Sequence, residues 1–237
     1  MSENFQRVEK KYLMSKETYL DFLKETEKYI QLDEFGLHTI CNIYFDTDHY
    51  DLIRNSIEKP VYKEKLRLRS YGIPGENDKV YLELKKKWEG IVYKRRISLT
   101  LKEAEDYLKR GVIPEKKDQI FDEIDYFVHF YHPEPKLYLA YDRRAYYGLE
   151  DHNLRITFDE NIRSREEDLE LEDGDYGEKL LEDDMVLMEL KVPGAVPVWL
   201  SEIMSRLHIY PISFSKYGNI YKKKIALGGN ERCSQVS

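Results

Sequence analysis

The sequence predicts a mainly antiparallel α+β domain, and three observations carry that expectation. About eight segments alternate with the strand period, most neighbours are joined by hairpin-like turns, and no glycine-rich strand-to-helix turn of a parallel nucleotide-binding sheet occurs. At 237 residues the chain is long enough to bury a core without staples. With no internal repeat and no clear linker, the expected organisation is one domain over 1–227 followed by a disordered tail, 228–237.

The elements follow in order. Gln6 to Leu13 alternates and places Arg7, Glu9 and Lys11 on one strand face. Ser15 is the expected N-cap of a helix to about Ile30, with Tyr19, Leu20, Leu23 and Ile30 as its apolar stripe. Leu37 to Phe45 reads as a buried strand ending in Tyr44-Phe45-Asp46-Thr47, and a short helix from Asp48 to about Ile57 comes next. Lys63 to Gly72 is the most informative strand, because Lys63, Lys65, Arg67 and Arg69 share one face while Leu66 and Leu68 share the other. The turn at Ile73-Pro74-Gly75 leads to Val80–Lys87, where Glu83, Lys85 and Lys87 oppose Leu82 and Leu84. Trp88-Glu89-Gly90 then connects to Ile91–Ile97, with Lys94 and Arg96 together. Thr100 and Glu103 form a capping box for a helix over 101–110. A second helix from Asp118 to Tyr131 ends before Pro133 and Pro135. Strands follow over Lys136–Tyr147 and Leu154–Asp159, the first carrying Tyr141 and Arg143, the second Arg155, Thr157 and Asp159. Met185–Val192 is a strand with Leu187, Glu189 and Lys191 on one side, Pro197–Leu207 has helix spacing, and Ser213–Gly218 precedes a last short helix.

Composition narrows the function classes. The net charge of −7 argues against a general nucleic-acid binder, and acid is concentrated between Glu166 and Asp184, which reads as an exposed, mobile flap. Two cysteines, Cys41 and Cys233, provide neither a disulfide framework nor a zinc spacing, so a reducing, cytoplasmic setting is expected. The polar start Met1-Ser2-Glu3-Asn4 is no signal region, and no apolar run approaches the ~20 residues of a membrane span. HxH and HExxH spacings, a Walker lysine motif, GxGxxG and GxSxG are all missing, and twenty tyrosines are expected as core and interface filler.

The charged strand faces admit two explanations. A solvated antiparallel sheet accounts for any one such strand without a ligand. Taken together they are less easily solvated, because cross-strand like charges destabilise a sheet, and Lys65, Arg67, Arg69, Lys85, Lys87, Lys94, Arg96, Arg143, Arg155 and Lys191 outnumber Glu9, Glu83, Asp159 and Glu189. Closing the sheet would turn the cations inward, where they need a polyanion; arginines suit phosphate, and a few carboxylates suit a divalent metal on phosphate oxygens. A carboxylic or sulfated polyanion would need no metal.

Tyr44-Phe45-Asp46-Thr47, Lys65-x-Arg67-x-Arg69-x-Tyr71-Gly72, Glu83-x-Lys85, Tyr141-x-Arg143-x-Ala145-Tyr146, Leu154 to Asp159, Met188-Glu189-Leu190-Lys191 and Phe214-Ser215-Lys216-Tyr217 together resemble the VTC domain. This is the polyphosphate polymerase branch of the CYTH-like triphosphate tunnel metalloenzymes, and the resemblance runs from about Phe5 to Tyr221. It implies an eight-stranded antiparallel β-barrel, the triphosphate tunnel, with helices packed outside. It implies Mn2+ or Mg2+ as cofactor, with ATP and inorganic polyphosphate as partners. It implies no nucleic acid, and a membrane protein as the route by which a chain without a span would associate with a membrane. Carried onto matching positions, Lys11, Arg67, Arg69, Lys85, Lys94, Arg143, Arg155 and Lys216 are catalytic phosphate-holding residues. Lys65, Lys87, Arg96, Tyr141, Lys191 and Ser215 are substrate contacts, and Glu189, Glu9 and Glu83 are metal ligands. The superfamily's first-strand E-x-E-x-K reads Arg7-x-Glu9-x-Lys11 here, one acid short. The activities left open are polymerisation of ATP γ-phosphate, triphosphate hydrolysis on the same scaffold, and non-catalytic polyphosphate binding.

Overall fold

The computed structural model describes residues 7–115 and 117–234, with side chains for 8–115 and 117–226. In chain order the elements begin with β1 (Arg7–Ser15), α1 (Lys16–Thr26), β2 (Ile30–Leu32), β3 (His38–Asp46), α2 (Asp51–Ile57) and β4 (Tyr62–Tyr71). β5 (Lys79–Trp88), β6 (Ile91–Thr100), α3 (Leu101–Arg110), α4 (Gln119–Tyr131), β7 (Glu134–Gly148) and β8 (Arg155–Arg165) follow. The chain closes with β9 (Glu178–Lys179), β10 (Met185–Pro193), α5 (Val198–Arg206), β11 (Pro211–Ile212) and α6 (Lys216–Ser234). Gln6 and residues 235–237 of the expected tail lie outside the described residues, and the backbone is helical through 228–234, where a disordered tail is expected from the sequence.

Two compact units divide the chain: Met1–Thr39 with Tyr141–Ile162 and Lys179–Phe214, and Ile40–Ala140 with Arg163–Glu178 and Ser215–Ser237. In the first unit the antiparallel ladder runs β11-β1-β10-β8-β7, with β2 added to β7. Its core is the apolar side of these strands, Tyr12, Ile156, Phe158, Val186, Met188 and Leu190, against α1 and α5. Phe158 is the centre, with the rings of Tyr19 and Phe22 at 4.6 and 5.8 Å. Ser15 caps α1 by accepting from Thr18 N at 3.1 Å.

In the second unit β3-β4-β5-β6 form an antiparallel ladder. Leu66, Leu68, Leu82 and Leu84 pack on Leu101, Ala104, Tyr107, Phe121, Ile124 and Phe127 of α3 and α4. Each leucine so buried contributes about 2 kcal/mol, which commits the opposite, charged face of β4 and β5 to its orientation. The capping box at Thr100 and Glu103 is present, and Asp118 caps α4 through Phe121 N.

Several expectations are corrected. Among the described residues the strands number eleven rather than eight, because β2, β9 and β11, two or three residues each, are too short to show an alternation. Among the described residues β6 and β11 each end their unit's ladder, so the pairing path is open where a closed barrel is expected; β6 exposes Lys94 and Arg96, the charged manner in which edge strands avoid further pairing. α1 stops at Thr26, whose hydroxyl bonds Phe22 O at 2.7 Å, and Ile30 belongs to β2. Leu20 is solvent-exposed, and Phe22 takes its place in the core. α2 starts at Asp51 rather than Asp48, β8 continues to Arg165, and α6 is a 19-residue helix rather than a short one. The acidic segment is no free flap over 166–178. Arg165 lies between the rings of Tyr138 and Tyr176 and donates to the carbonyls of Asp168, Glu170, Gly174 and Tyr176, so one buried guanidinium ties the loop down. No helix among the described residues is long and apolar enough to cross a membrane.

Candidate functional site

Each unit carries one buried glutamate in the middle of a charged strand face. In the second unit the register lines up Tyr44, Arg67, Glu83 and Arg96 across β3, β4, β5 and β6, with Asn42, Arg69 and Tyr81 in the next row. Glu83 Oε2 accepts from Arg67 Nε at 2.6 Å and lies 3.9 Å from Arg69 Nε. Its Oε1 accepts from Arg96 Nε at 2.6 Å. Burial pushes the Glu83 carboxyl up, but the guanidiniums of Arg67, Arg69 and Arg96 more than reverse this and hold it at about 2. Arg69 also donates to Asn42 Oδ1 at 2.9 Å, and Asn42 donates to Leu139 O at 3.0 Å, so its guanidinium is fixed in a buried network. Arg96 stacks over Tyr81, 4.6 Å from the ring centre.

The neighbouring rows repeat one sign. Lys65 faces Lys85, Lys85 faces Lys94, and Lys63 faces Lys87. Lys63 is half-buried and donates to Ser56 O at 3.1 Å; burial and then Lys87, Lys85 and Lys59 lower its pKa. Lys65 Nζ lies 3.4 Å from Ser215 Oγ, which also accepts from Gly218 N at the start of α6. Lys216 is the first residue of α6, and the next residue, Tyr217, donates to Asp46 Oδ2 at 3.1 Å. Asp46 accepts from Leu52 N and Ile53 N as well, so one buried carboxylate caps α2 and anchors the start of α6.

In the first unit the register sets Lys11 opposite Glu189 and Glu189 opposite Thr157; one step along, Glu9 faces Lys191 and Lys191 faces Arg155. Glu189 pairs with Lys191 and lies 3.9 Å from Lys11, whose ammonium also donates to Phe214 O at 3.1 Å. Burial works to raise the Glu189 carboxyl, and Lys191 and Lys11 hold it down at about 2. Arg143 is bidentate on the fully buried Asp159, at 2.6 and 2.8 Å, and lies 5.0 Å over the ring of Tyr141. Burial opposes its charge, yet Asp159 drives its pKa well up. Arg155 is exposed, with its guanidinium 5.6 Å over Tyr147.

The predicted residues therefore assort by unit. Arg67, Arg69, Lys65, Lys85, Lys87, Lys94, Arg96, Glu83, Ser215 and Lys216 belong to the second, and Lys11, Glu9, Glu189, Lys191, Arg143, Tyr141 and Arg155 to the first. Within them, Glu83 carries an arginine on each carboxylate oxygen, Arg67 on Oε2 and Arg96 on Oε1. Glu9 is exposed, so its carboxylate remains hydrated. Glu189 fits a divalent ion as a single carboxylate, the mode in which Mg2+-like ions take one or two carboxylates and fill the rest of the shell with phosphate oxygens and water. A second feature supports that fit: Thr157 Oγ1, on the strand position opposite Glu189, is buried and has no hydrogen-bond partner among the described residues. Among the described residues, three carboxylates close enough to share an ion occur at Glu105, Glu170 and Glu172, none of them singled out from the sequence.

Sequence reasoning missed Asn42, Tyr44, Asp159 and Thr157 as site residues. Tyr44 accepts from Arg67 Nη1 at 3.2 Å, and burial, which would raise its phenol, is outweighed by Arg67, Arg69 and Lys65, which bring it to about 8. The signal was present as period-two spacing: Asn42, Tyr44 and Asp46 alternate, as do Arg155, Thr157 and Asp159.

The fold is shared with solved structures of low sequence identity. One similar solved structure, a Bacillus halodurans protein proposed to be an adenylate cyclase, shares 17% identity at a TM-score of 0.55, covering 88% of this chain and 93% of its own. Another, a Hippeastrum protein proposed to be an adenylyl cyclase and described with a dominant triphosphatase activity, shares 18% identity at 0.57, covering 92% and 96%. A search of curated proteins finds no match. Within this fold the chain belongs to the VTC domain family, whose profile matches residues 6–224.

Proposed function

We propose that this chain is a metal-dependent polyphosphate polymerase that passes the terminal phosphoryl group of ATP to a growing polyphosphate chain, with 1–227 acting as one VTC domain in a cytoplasmic setting. The observation that carries the reading is the pair Glu189 and Thr157: a buried carboxylate kept ionised, beside a buried hydroxyl without a partner, on a face lined by Lys11 and Lys191. Such a set is costly to bury unless something anionic with a counter-cation completes it.

Phosphoryl transfer requires positioning and charge stabilisation more than covalent help. Lys11, Arg143, Arg155, Lys191 and Tyr141 in one unit, and Arg67, Arg69, Lys65, Lys85, Lys87, Lys94, Arg96, Ser215 and Lys216 in the other, contact phosphate oxygens in this reading. Glu189 with Thr157 would hold Mn2+ or Mg2+, which supplies neutralisation of charge on the phosphates when bound. A terminal oxygen of the acceptor chain, anionic at neutral pH, forms a bond to the γ-phosphorus as the bond from that phosphorus to the β–γ bridging oxygen breaks. ADP leaves with the electron pair, so no general base is needed.

Water as acceptor would turn the same site into a tripolyphosphatase or nucleoside triphosphatase, a reading favoured by the triphosphatase activity described for the Hippeastrum protein of similar fold. Purified protein incubated with ATP and manganese separates the two: the polymerase reading expects a long-chain ladder on a polyacrylamide gel. Orthophosphate release without a ladder would favour hydrolysis, and no turnover of any triphosphate with retained polyphosphate binding would leave a binding module.

A further inference from the structure

Glu83 stands out because its surroundings contradict the role its residue type suggests. It lies in the middle of β5, 9% exposed, and three arginines converge on it from two neighbouring strands. Arg67 approaches one oxygen through Nε and Nη2, each at 2.6 Å, while Arg96 takes the other. The register explains the convergence, since Arg67 and Arg96 are the direct cross-strand neighbours of Glu83 on either side. A carboxylate with both oxygens engaged in charge-assisted bonds is a poor ligand for a hard cation, which would have to displace a guanidinium to reach it.

We infer that Glu83 is a built-in counter-ion that positions Arg67 and Arg96 and limits how tightly this strand face grips a polyphosphate, rather than a metal ligand. The inference rests on the proposal that the face takes phosphate. Three guanidiniums and one carboxylate leave two net positive charges, and neutralising the carboxylate leaves three. At the short separations of adjacent strands an added charge acts strongly on a polyanion, so loss of Glu83 should strengthen ground-state binding and slow the release that each catalytic cycle requires. The two forks also lose the acceptor that fixes their orientation, which works against turnover in the same direction.

The test is calorimetric titration with inorganic tripolyphosphate in the presence of EDTA. Wild type should bind, Glu83→Gln should bind about tenfold tighter with a steeper salt dependence, and Glu83→Asp, which keeps the charge, should stay near wild type. ATP turnover by Glu83→Gln should fall through kcat while KM falls or stays constant. If Glu83→Gln does not fold, the pair Arg96→Gln and Glu83→Gln/Arg96→Gln carries the comparison, the double variant binding tighter than the single. Equal or weaker binding by a folded Glu83→Gln, or loss of Mn2+ binding by that variant with tripolyphosphate present, would overturn the inference. Failure of wild type to bind tripolyphosphate would instead remove the phosphate reading on which it rests.

Discussion

Glu83 and Glu189 look alike in sequence and differ in the structure. Each is a glutamate on a strand face rich in cations, buried to the same degree and held at about 2. Glu83 is enclosed by arginines, whose planar forks saturate both oxygens. Glu189 is flanked by two lysines, one at 3.9 Å, and faces a hydroxyl that has no partner among the described residues. Lysine ammoniums are point charges on flexible stems and give way to an incoming ion, whereas a guanidinium fork does not. In the proposed reading the same residue type serves two purposes, set by which cation is its cross-strand neighbour.

Four substitutions or titrations sharpen that difference, in order of expected effect. Glu189→Gln should lower ATP turnover at least about a hundredfold in a protein that still folds, with a stability loss no larger than the about 3 kcal/mol its depressed pKa represents, measured by ADP release and a melting curve. Asp159→Asn strands the buried Arg143 guanidinium and should cost about 3–5 kcal/mol in urea unfolding, the largest stability effect expected in either cluster. Acid unfolding should report both glutamates. Their folded pKa values are depressed, so the stability they add is present above the unfolded carboxylate value and is lost as pH falls towards about 2. Replacing Glu83 with Gln should flatten that slope by about 3 kcal/mol. The smallest effect concerns Tyr44. Its folded pKa of about 8 lies below the unfolded value, so stability should rise with pH above about 8, and a phenolate absorbance step near pH 8 should vanish in Tyr44→Phe.

Much of this was legible in the sequence because strand faces follow a period of two. Lys65, Arg67 and Arg69 opposite Leu66 and Leu68 could be assigned to a charged face before any coordinates, since the leucines had to be buried. Period two says nothing about register, however, and register decides that Glu83 meets Arg67 and Arg96 while Lys85 meets Lys65 and Lys94. Asp159 was visible as an acid on the right face, but only the structure shows Arg143 bidentate upon it. β2 and β11 are held by partners remote in the chain, and β9 by β8, rather than by their own pattern, which is why the strand count was short. Arg165 in the acidic segment shows the same limit, because its acceptors are backbone carbonyls that carry no residue-type signal.

The division of labour between the two glutamates is tested most directly by electron paramagnetic resonance of Mn2+ added to wild type, Glu189→Gln and Glu83→Gln in the presence of tripolyphosphate. Wild type and Glu83→Gln should bind the ion with affinities within about threefold of each other, and Glu189→Gln should bind at least about tenfold more weakly. Retention of Mn2+ by Glu189→Gln together with its loss from Glu83→Gln would contradict the account.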